Sequence, residues 1–406
     1  MSKLKIYQEQ NVYDAAIERI AFTFDNFEKI YISFSGGKDS SAMVHLVMAE
    51  AIKRNRKVAW LIIDLEAQYK HTIDHIEDMI EAYKEHIDLH WVCLPLLLRN
   101  AVTNYEPRWC CWEEEKKDSW VRPFPKLGIS DINHYPFFQK GLEFEEFIIL
   151  WGLWYAEEKL TAGFIGIRAD ESLNRFRTIA VWDKTMYKNK RYTTHIDDYL
   201  FNVYPIYDWR TEDIWRFHGK NPTLSHNQIY DQMHKAGVSI HQQRLCQPYG
   251  DDQRKGLWLY HILEPETWFK LIARVNGANS GALYIQESGN MTGYNKITKP
   301  EGHTWKTFCD LLLQSMPKQT REHYIHRFRG FIKGWKGRGY KDGIPDNAPV
   351  TLENKMWAPS YRRLCKVLLR NDHWCKGLGL TQPKSEAYRK YMELKKQRKL
   401  EAKLLD

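Results

Sequence analysis

Five short apolar runs mark the first half of the chain, and longer amphipathic runs separate most of them. They are "KIYISF" (29–34), "KVAWLIID" (57–64), "LHWVCLPL" (89–96), "AGFIGIR" (162–168) and "NVYPIYDW" (202–209). Each is continuously apolar rather than alternating, the pattern of a strand buried on both faces. Helical periodicity follows in "SSAMVHLVMAEAIKR" (40–54), near 72–86, and in the aromatic-rich "FEEFIILWGLWYAEEKL" (144–160). A further helix is expected in "EDIWRFH", with Thr211 placed to cap it and Glu212 and Asp213 suited to its positive end. Strands alternating with helices predict an α/β fold, a doubly wound parallel sheet that binds ligands at the carboxyl ends of its strands. Segment 97–143 breaks the pattern. It is rich in Trp, Pro and charge, and reads as an insertion or lid over those strand ends. Beyond about residue 235 the alternation fades, so the expected division is 1–235 and 236–406. The second part is basic, aromatic-rich and mostly α.

Charge sharpens that division. The 406 residues carry a net +9. Residues 318–406 alone hold 22 Lys/Arg against 9 Asp/Glu, so the remainder is slightly acidic. Such asymmetry points to a polyanionic partner for the C-terminal part. No apolar run is long enough to span a membrane, and "MSKLKIYQEQNVYDAA" lacks the apolar stretch of a signal peptide, so a cytoplasmic protein with no membrane partner is expected. The seven cysteines are an odd number without C-x-x-C spacing, which argues against a secreted disulfide framework.

The chemistry begins where the first strand meets the first helix, at "YISFSGGKDSSAMVHL" (31–46). Gly36 and Gly37 permit backbone geometry that turns N–H groups toward an anion, and the following helix adds its positive end. Lys38 supplies charge, Ser33, Ser35 and Ser40 supply hydroxyls, and Asp39 is a candidate magnesium ligand. The loop suits pyrophosphate or sulfate. A Walker A loop is excluded because that spacing needs glycine where Ile32 stands.

"SGGKDS" after a strand resembles the pyrophosphate loop of the adenine-nucleotide α-hydrolases. "GIRADESLNR" (166–175) and "YPIYDWRTEDIW" (204–215) are similar to later signatures of the phosphoadenosine-phosphosulfate (PAPS) reductase branch. "RLCQPYGDDQRKGLWLYHILEP" (244–265) and "RRLCKVLLRNDHWCKGL" (362–378) resemble the IbrA/YbdN-type proteins, which add a C-terminal domain of unknown function. By position, the resemblance implies that Ser35, Gly36, Gly37, Lys38, Asp39 and Ser40 hold phosphates or sulfate, and that Asp64 and Gly166 contact the nucleotide. It also implies phosphate contacts from the guanidinium forks of Arg168 and Arg175. A salt bridge to Asp170 or Glu171 is the competing role for Arg175. The expected ligand is an adenine nucleotide: ATP with Mg2+, or PAPS or adenylylsulfate. A ParB/sulfiredoxin-like partner protein and a role in gene control or in phage and mobile-element biology are implied as well.

The resemblance departs at the cysteines. PAPS reductases use a cysteine on a C-terminal segment in a Glu-Cys-Gly-x-His context; this sequence ends "RKLEAKLLD", and its last cysteine is Cys375. Adenylylsulfate reductases hold an iron–sulfur cluster with a Cys-Cys and a C-x-x-C pair. Cys110-Cys111 matches the first half only, with Cys246 alone in the later region, so an iron–sulfur cluster or zinc on Cys110, Cys111 and Cys246 is the weaker expectation against half-buried cysteines. The expected reaction is therefore ATP cleavage between the α and β phosphates with transfer of adenylate, the transition state met by loop amides, Lys38, Asp39-bound metal and Arg168. A sulfonucleotide reductase and a nucleotide-sensing regulator are the alternatives. Finally, "HRFRGFIKGWKGRGYKDG" (326–343) interleaves cations with rings, which suits DNA or RNA contact through Lys333, Trp335, Lys336 and Arg338. An amphipathic helix with its aromatics in the core is the competing account.

Overall fold

A computed structural model describes residues 8–180, 184–251, 257–278 and 297–405. The five expected strands form as β1 (Lys29–Ser33), β2 (Val58–Ile63), β3 (Ile87–Val92), β6 (Thr161–Ile165) and β8 (Leu200–Val203). Their order in the sheet is β3-β2-β1-β6-β8-β7, all parallel except the edge strand β7 (Thr193–Asp197). Ile32 of β1 pairs with Trp60 on one side and Phe164 on the other, and all three are buried. Both faces are covered, which is why these strands read as continuous apolar runs.

Chain order reverses direction at β1. From β1 the chain steps outward to β2 and β3, then returns to place β6 on the other flank. The crevice at the carboxyl ends of β1 and β6 is thus the topological switch point, where open α/β sheets bind ligands. Helix α1 (Val12–Asn26) precedes β1, and Asn11 caps it by accepting the Asp14 amide at 2.9 Å. Helices α2 (Lys38–Lys53), α3 (Lys70–Tyr83), α4 (Phe144–Ala156), α5 (Leu173–Ala180) and α6 (Thr211–Lys220) follow. The cap of α6 differs from expectation. Thr211 is already helical, and Asp213 closes the end by accepting the Arg210 amide at 2.8 Å.

Segment 97–143 is a packed insertion, not an open cover. It forms the hairpin of β4 (Leu97–Arg99) and β5 (Arg108–Cys110), and buries Trp109, Cys111, Trp112, Val121, Tyr135 and Phe137 in the main core.

Two hydrophobic cores form among the described residues. The first runs past residue 235 through Tyr249, Tyr260, Leu271 and Ala278. The second lies between Trp305 and Leu378, in helices Trp305–Gln314, Lys318–Lys336 and Tyr361–Leu369. The last helix, Glu386–Leu405, returns to the sheet: Tyr388, Tyr391 and Met392 pack on the first core, and Lys395 pairs with Asp197 at 2.9 Å. The lysine-rich end is therefore docked at its start rather than wholly solvated.

Candidate functional site

The loop 34–37 joins β1 to α2 with a left-handed Gly36 (φ +70°). A side chain there would meet Thr72 Cγ2 at 2.8 Å as well as carrying backbone strain. Asn227 fixes the turn by donating to the Gly36 carbonyl at 2.8 Å and to Thr72 Oγ1 at 3.0 Å. Gly37 precedes α2 without any side-chain cap. The Lys38 amide donates to the Tyr230 hydroxyl at 3.2 Å, while the Asp39 and Ser40 amides meet no acceptor among the described residues. Open amides at a helix N-terminus attract anions.

These amides face a cavity of about 180 Å³ lined by Ser35, Gly37, Lys38, Asp39, Ser40, Gly166, Glu171, Ser172, Arg175, Tyr230, Arg244, Leu245 and Cys246. Its far wall is the loop after β6. Gly166 lets that loop approach, since a Cβ would stand 2.9 Å from the Ser40 Cα. A second, more apolar cavity of about 170 Å³ adjoins it and shares Ser35, Leu245 and Cys246. Ser33, Phe34, Ile63, Leu65, Gln68 and Tyr69 complete much of its wall. There the Tyr69 hydroxyl, on a side chain only 2% exposed, and Gln68 Oε1 are buried without hydrogen-bond partners.

The charged residues around the loop are tied together. Asp39 Oδ1 accepts from Arg168 Nε at 2.6 Å, and Lys38 Nζ lies 3.3 Å from Asp39 Oδ2. Lys38 is buried at 5% exposure, also donating to the Gln243 carbonyl at 3.1 Å. It is a buried helix-start residue, not a surface-loop one. Arg175 bonds Glu171 one helical turn away, and Arg244 donates to the Glu171 carbonyl. Burial raises the Glu171 carboxyl above its ordinary range, against the pull of Arg175.

Several of the sequence-assigned residues make partners of their own here. Both Asp39 oxygens already face cations, so the residues present do not fit a magnesium ion held by Asp39. Arg168 does not line the cavity. It is 2% exposed behind Asp39, with its Nη1 buried and without a hydrogen-bond partner. Asp64 is fully buried and lines neither cavity. Its carboxylate accepts from the Trp91 indole and the Glu66 amide, both at 2.9 Å, and pairs with Arg122. Arg175 takes the competing salt bridge yet remains at the cavity wall.

The cysteines do not assemble. No group of three His, Cys, Asp or Glu side chains among the described residues is placed to hold a metal ion. The Cys111 thiol donates to the Leu94 and Leu96 carbonyls, and burial pushes it well above its ordinary pKa, the opposite of a thiolate ligand. Burial also lifts Cys110, to about 12. Cys246 is exposed and stands elsewhere, at the junction of the two cavities.

In the C-terminal unit, Phe328 and Phe331 are core residues, as the amphipathic account requires. Lys333, Lys336 and Arg338 are exposed. Trp335 is half-buried, edge-on to Phe331 and Tyr340, with the Arg338 guanidinium 5.0 Å from its ring centre. The ring is thus already occupied by its own neighbours.

Sequence reasoning missed Tyr69, Glu171, Tyr230 and Arg244 as cavity residues. Arg244 opens the block "RLCQPYGDD" quoted above, so its position was visible; Tyr230 and Tyr69 had no local signal.

Among the described residues no helix is long and apolar enough to cross a membrane. The phosphoadenosine phosphosulfate reductase domain model matches residues 29–239. The model for Domain of unknown function (DUF3440) matches 237–348 and 340–389. The Escherichia coli (strain K12) protein "Uncharacterized protein YbdN" is 39% identical over 399 residues, spanning 97% of this chain and 96% of its own. Solved structures are more distant. A PAPS reductase from Candida auris shares 12% identity at a TM-score of 0.31, covering 56% of this chain and 93% of its own. The FMN adenylyltransferase of Candida glabrata shares 15% at 0.30, covering 56% and 62%. The chain belongs to the phosphoadenosine phosphosulfate reductase domain family, in a form that carries a DUF3440 domain after it.

Proposed function

We propose that the chain binds an adenine nucleotide, ATP foremost, and cleaves it between the α and β phosphates to adenylylate an acceptor. One observation carries this reading: a cationic cavity and an apolar cavity share a wall at the switch point of the sheet. Together they reach the low end of the ~300–1,000 Å³ usual for ligand sites. Phosphates belong over the open amides of Asp39 and Ser40, beside Lys38, Arg175 and Arg244. The base belongs in the apolar cavity, where the Tyr69 hydroxyl and Gln68 Oε1 await partners. An acceptor oxygen attacks the α-phosphorus, the α–β bridge breaks, and pyrophosphate leaves against the amides and cations already oriented there. Magnesium, if it takes part, is not assigned a ligand from this chain.

The test is product analysis with ATP, adenylylsulfate and PAPS. Pyrophosphate and an adenylylated acceptor are expected from ATP. Lys38→Met, which keeps the buried stem, should weaken nucleotide binding about 10- to 100-fold, since a hydrogen bond to a charged group contributes about 1.5–3 kcal/mol. Unchanged affinity by calorimetry would remove the loop from the site. The second reading, a sulfonucleotide reductase, is favoured by one feature: Cys246 touches both cavities. Cys375 does not serve it, being fully buried with its thiol pushed up to about 12. No sulfite is expected with thioredoxin; sulfite formation abolished by Cys246→Ser would make the reductase primary. Binding without turnover would favour a nucleotide-sensing regulator.

A ParB/sulfiredoxin-like partner and a role in gene control or phage biology extend the proposal, supported by the family resemblance. Nucleic-acid contact is supported by the exposed Lys333, Lys336 and Arg338. Their replacement by Gln should weaken low-salt binding to DNA or RNA and flatten its salt slope. No band shift of the unaltered protein at low salt would dismiss that contact.

A further inference from the structure

The side chains around the loop cavity differ in what they have left to give a phosphate. Its two carboxylates are matched by cations, Asp39 by Lys38 and Arg168, Glu171 by Arg175. Much of that positive charge is thus spent within the protein, and neutral donors gain weight. The Ser40 hydroxyl donates to the Gly37 carbonyl at 2.9 Å and stands 3.0 Å from the Ser35 hydroxyl, so these two satisfy each other inside the turn. Tyr230 is different. Its oxygen accepts the Lys38 amide at 3.2 Å, while its own proton meets no acceptor among the described residues.

The ring is held firmly at the cavity wall. Tyr230 is 3% exposed on the helix Ile229–Lys235, lies edge-on to Trp215, and has the Lys38 ammonium 5.0 Å from its ring centre. The backbone around it is pinned to the same loop. Asn227 donates to the Gly36 carbonyl, and Gln243 donates to the Tyr230 carbonyl at 3.2 Å while its own carbonyl accepts from Lys38. The hydroxyl stands close over the turn, since a Cβ on Gly37 would come within 3.3 Å of it. A hydroxyl that accepts from an amide donates more strongly in turn, because hydrogen bonds in series polarise one another. Burial holds the phenol far above its ordinary pKa, so it keeps the proton that it would donate.

We propose that the Tyr230 hydroxyl is a phosphate-binding donor, passing the polarity of the Lys38 amide on to a phosphate oxygen at the loop. The proposal rests on the nucleotide reading above and adds to its site a residue far outside the Ser-Gly-Gly-Lys-Asp-Ser run. The competing role is a cap that does no more than satisfy one amide at the start of α2.

The two roles predict opposite signs. Tyr230→Phe removes the oxygen alone. A cap, once removed, frees the Lys38 amide for the anion, so pyrophosphate binds as well or better. A phosphate donor, once removed, weakens pyrophosphate and ATP by the same factor, about tenfold or more, as for the loss of a hydrogen bond to a charged group. The full chain would be titrated by calorimetry with inorganic pyrophosphate, ATP and adenosine. The expected result is the tenfold loss for the two phosphate ligands with adenosine affinity retained. A pyrophosphate affinity in Tyr230→Phe equal to or above that of the unaltered chain overturns the proposal; if Lys38→Met still weakens ATP, the nucleotide reading survives without it. A parallel fall in adenosine affinity also overturns it, because the loop as a whole has then shifted. Pyrophosphate binding that depends on Tyr230, with no binding of ATP or adenosine, keeps the donor and dismisses the nucleotide.

Discussion

Arg274→Met is expected to cost the fold about 3–5 kcal/mol, the usual penalty for stripping one partner from a buried ion pair. Arg274 is 1% exposed at its side chain and Glu66 is fully buried; Arg274 Nε lies 2.7 Å from Glu66 Oε1. The variant would leave a carboxylate in the core with only the Trp112 amide at 2.8 Å and the Val121 amide at 3.1 Å as donors. Those two amides belong to the 97–143 insertion, and Arg274 also donates to the Cys110 carbonyl at 2.7 Å. One carboxylate thus joins the end of β2, the insertion and the helix Pro265–Arg274. Its left-handed backbone (φ +65°) turns the chain toward Gln68 and Tyr69 at the apolar cavity, so nucleotide affinity should fall along with stability. Denaturant unfolding reads the first effect and calorimetry the second. Pairing Arg274→Met with Glu66→Gln should cost less than the two single changes summed, because no lone charge then remains. Strict additivity would show that the pair is not coupled.

The parallel sheet and its loop were legible because their signals are local. β1 and α2 flank "SGGKDS" within twenty-five residues, and continuous apolar runs mark strands buried on both faces. β7 was missed because Thr193–Asp197 is polar, half-buried and at the sheet edge, where apolar runs are not required. β4 and β5, at three residues each, are too short to show a period. Among site residues, Lys38 and Gly166 follow from their place beside strand ends. The contacts of Arg168 and Asp64 were not legible in the sequence for one shared reason. A charged residue at a strand end offers both a ligand contact and a structural one, and its partner decides. Arg168 meets Asp39, 129 residues away, and Asp64 meets Trp91 and Arg122, 27 and 58 away. Charge and fading alternation placed a boundary near 235, and the first core also draws on Tyr249, Tyr260 and Leu271 beyond it, a packing contact that no local pattern announces.

Acid should unfold the first unit by way of the histidines behind α2. His45 is held between the Tyr83 hydroxyl and the Ser225 carbonyl, both at 2.8 Å. His75 is hydrogen-bonded to the hydroxyls of Ser41 (2.7 Å) and Ser225 (3.0 Å). His218 donates to the Lys38 carbonyl at 3.2 Å. Burial depresses all three; His45 falls to about 4 and His75 to about 3, the latter aided by its histidine neighbours. The charges facing the cluster are Asp39 and Asp231, and Asp231 is already paired with His226 at 2.8 Å. With folded values below the unfolded one near 6.5, the unfolded chain takes up protons first. Stability is therefore full above about pH 6.5 and is lost as pH falls, down to about 4 for His45 and about 3 for His75. Each histidine removes about 1.4 kcal/mol per pH unit in that window. The pair would cost about 5 kcal/mol by pH 4.5, a large share of the ~5–15 kcal/mol typical of a domain. Because Ser41 and Lys38 belong to the first turn of α2, nucleotide binding should fade in the same range. Denaturation midpoints at pH 7, 6 and 5 measure this. His45→Gln with His75→Gln is expected to be less stable at pH 7 but to lose stability more shallowly below it; an unchanged slope would assign the acid sensitivity to carboxylates instead.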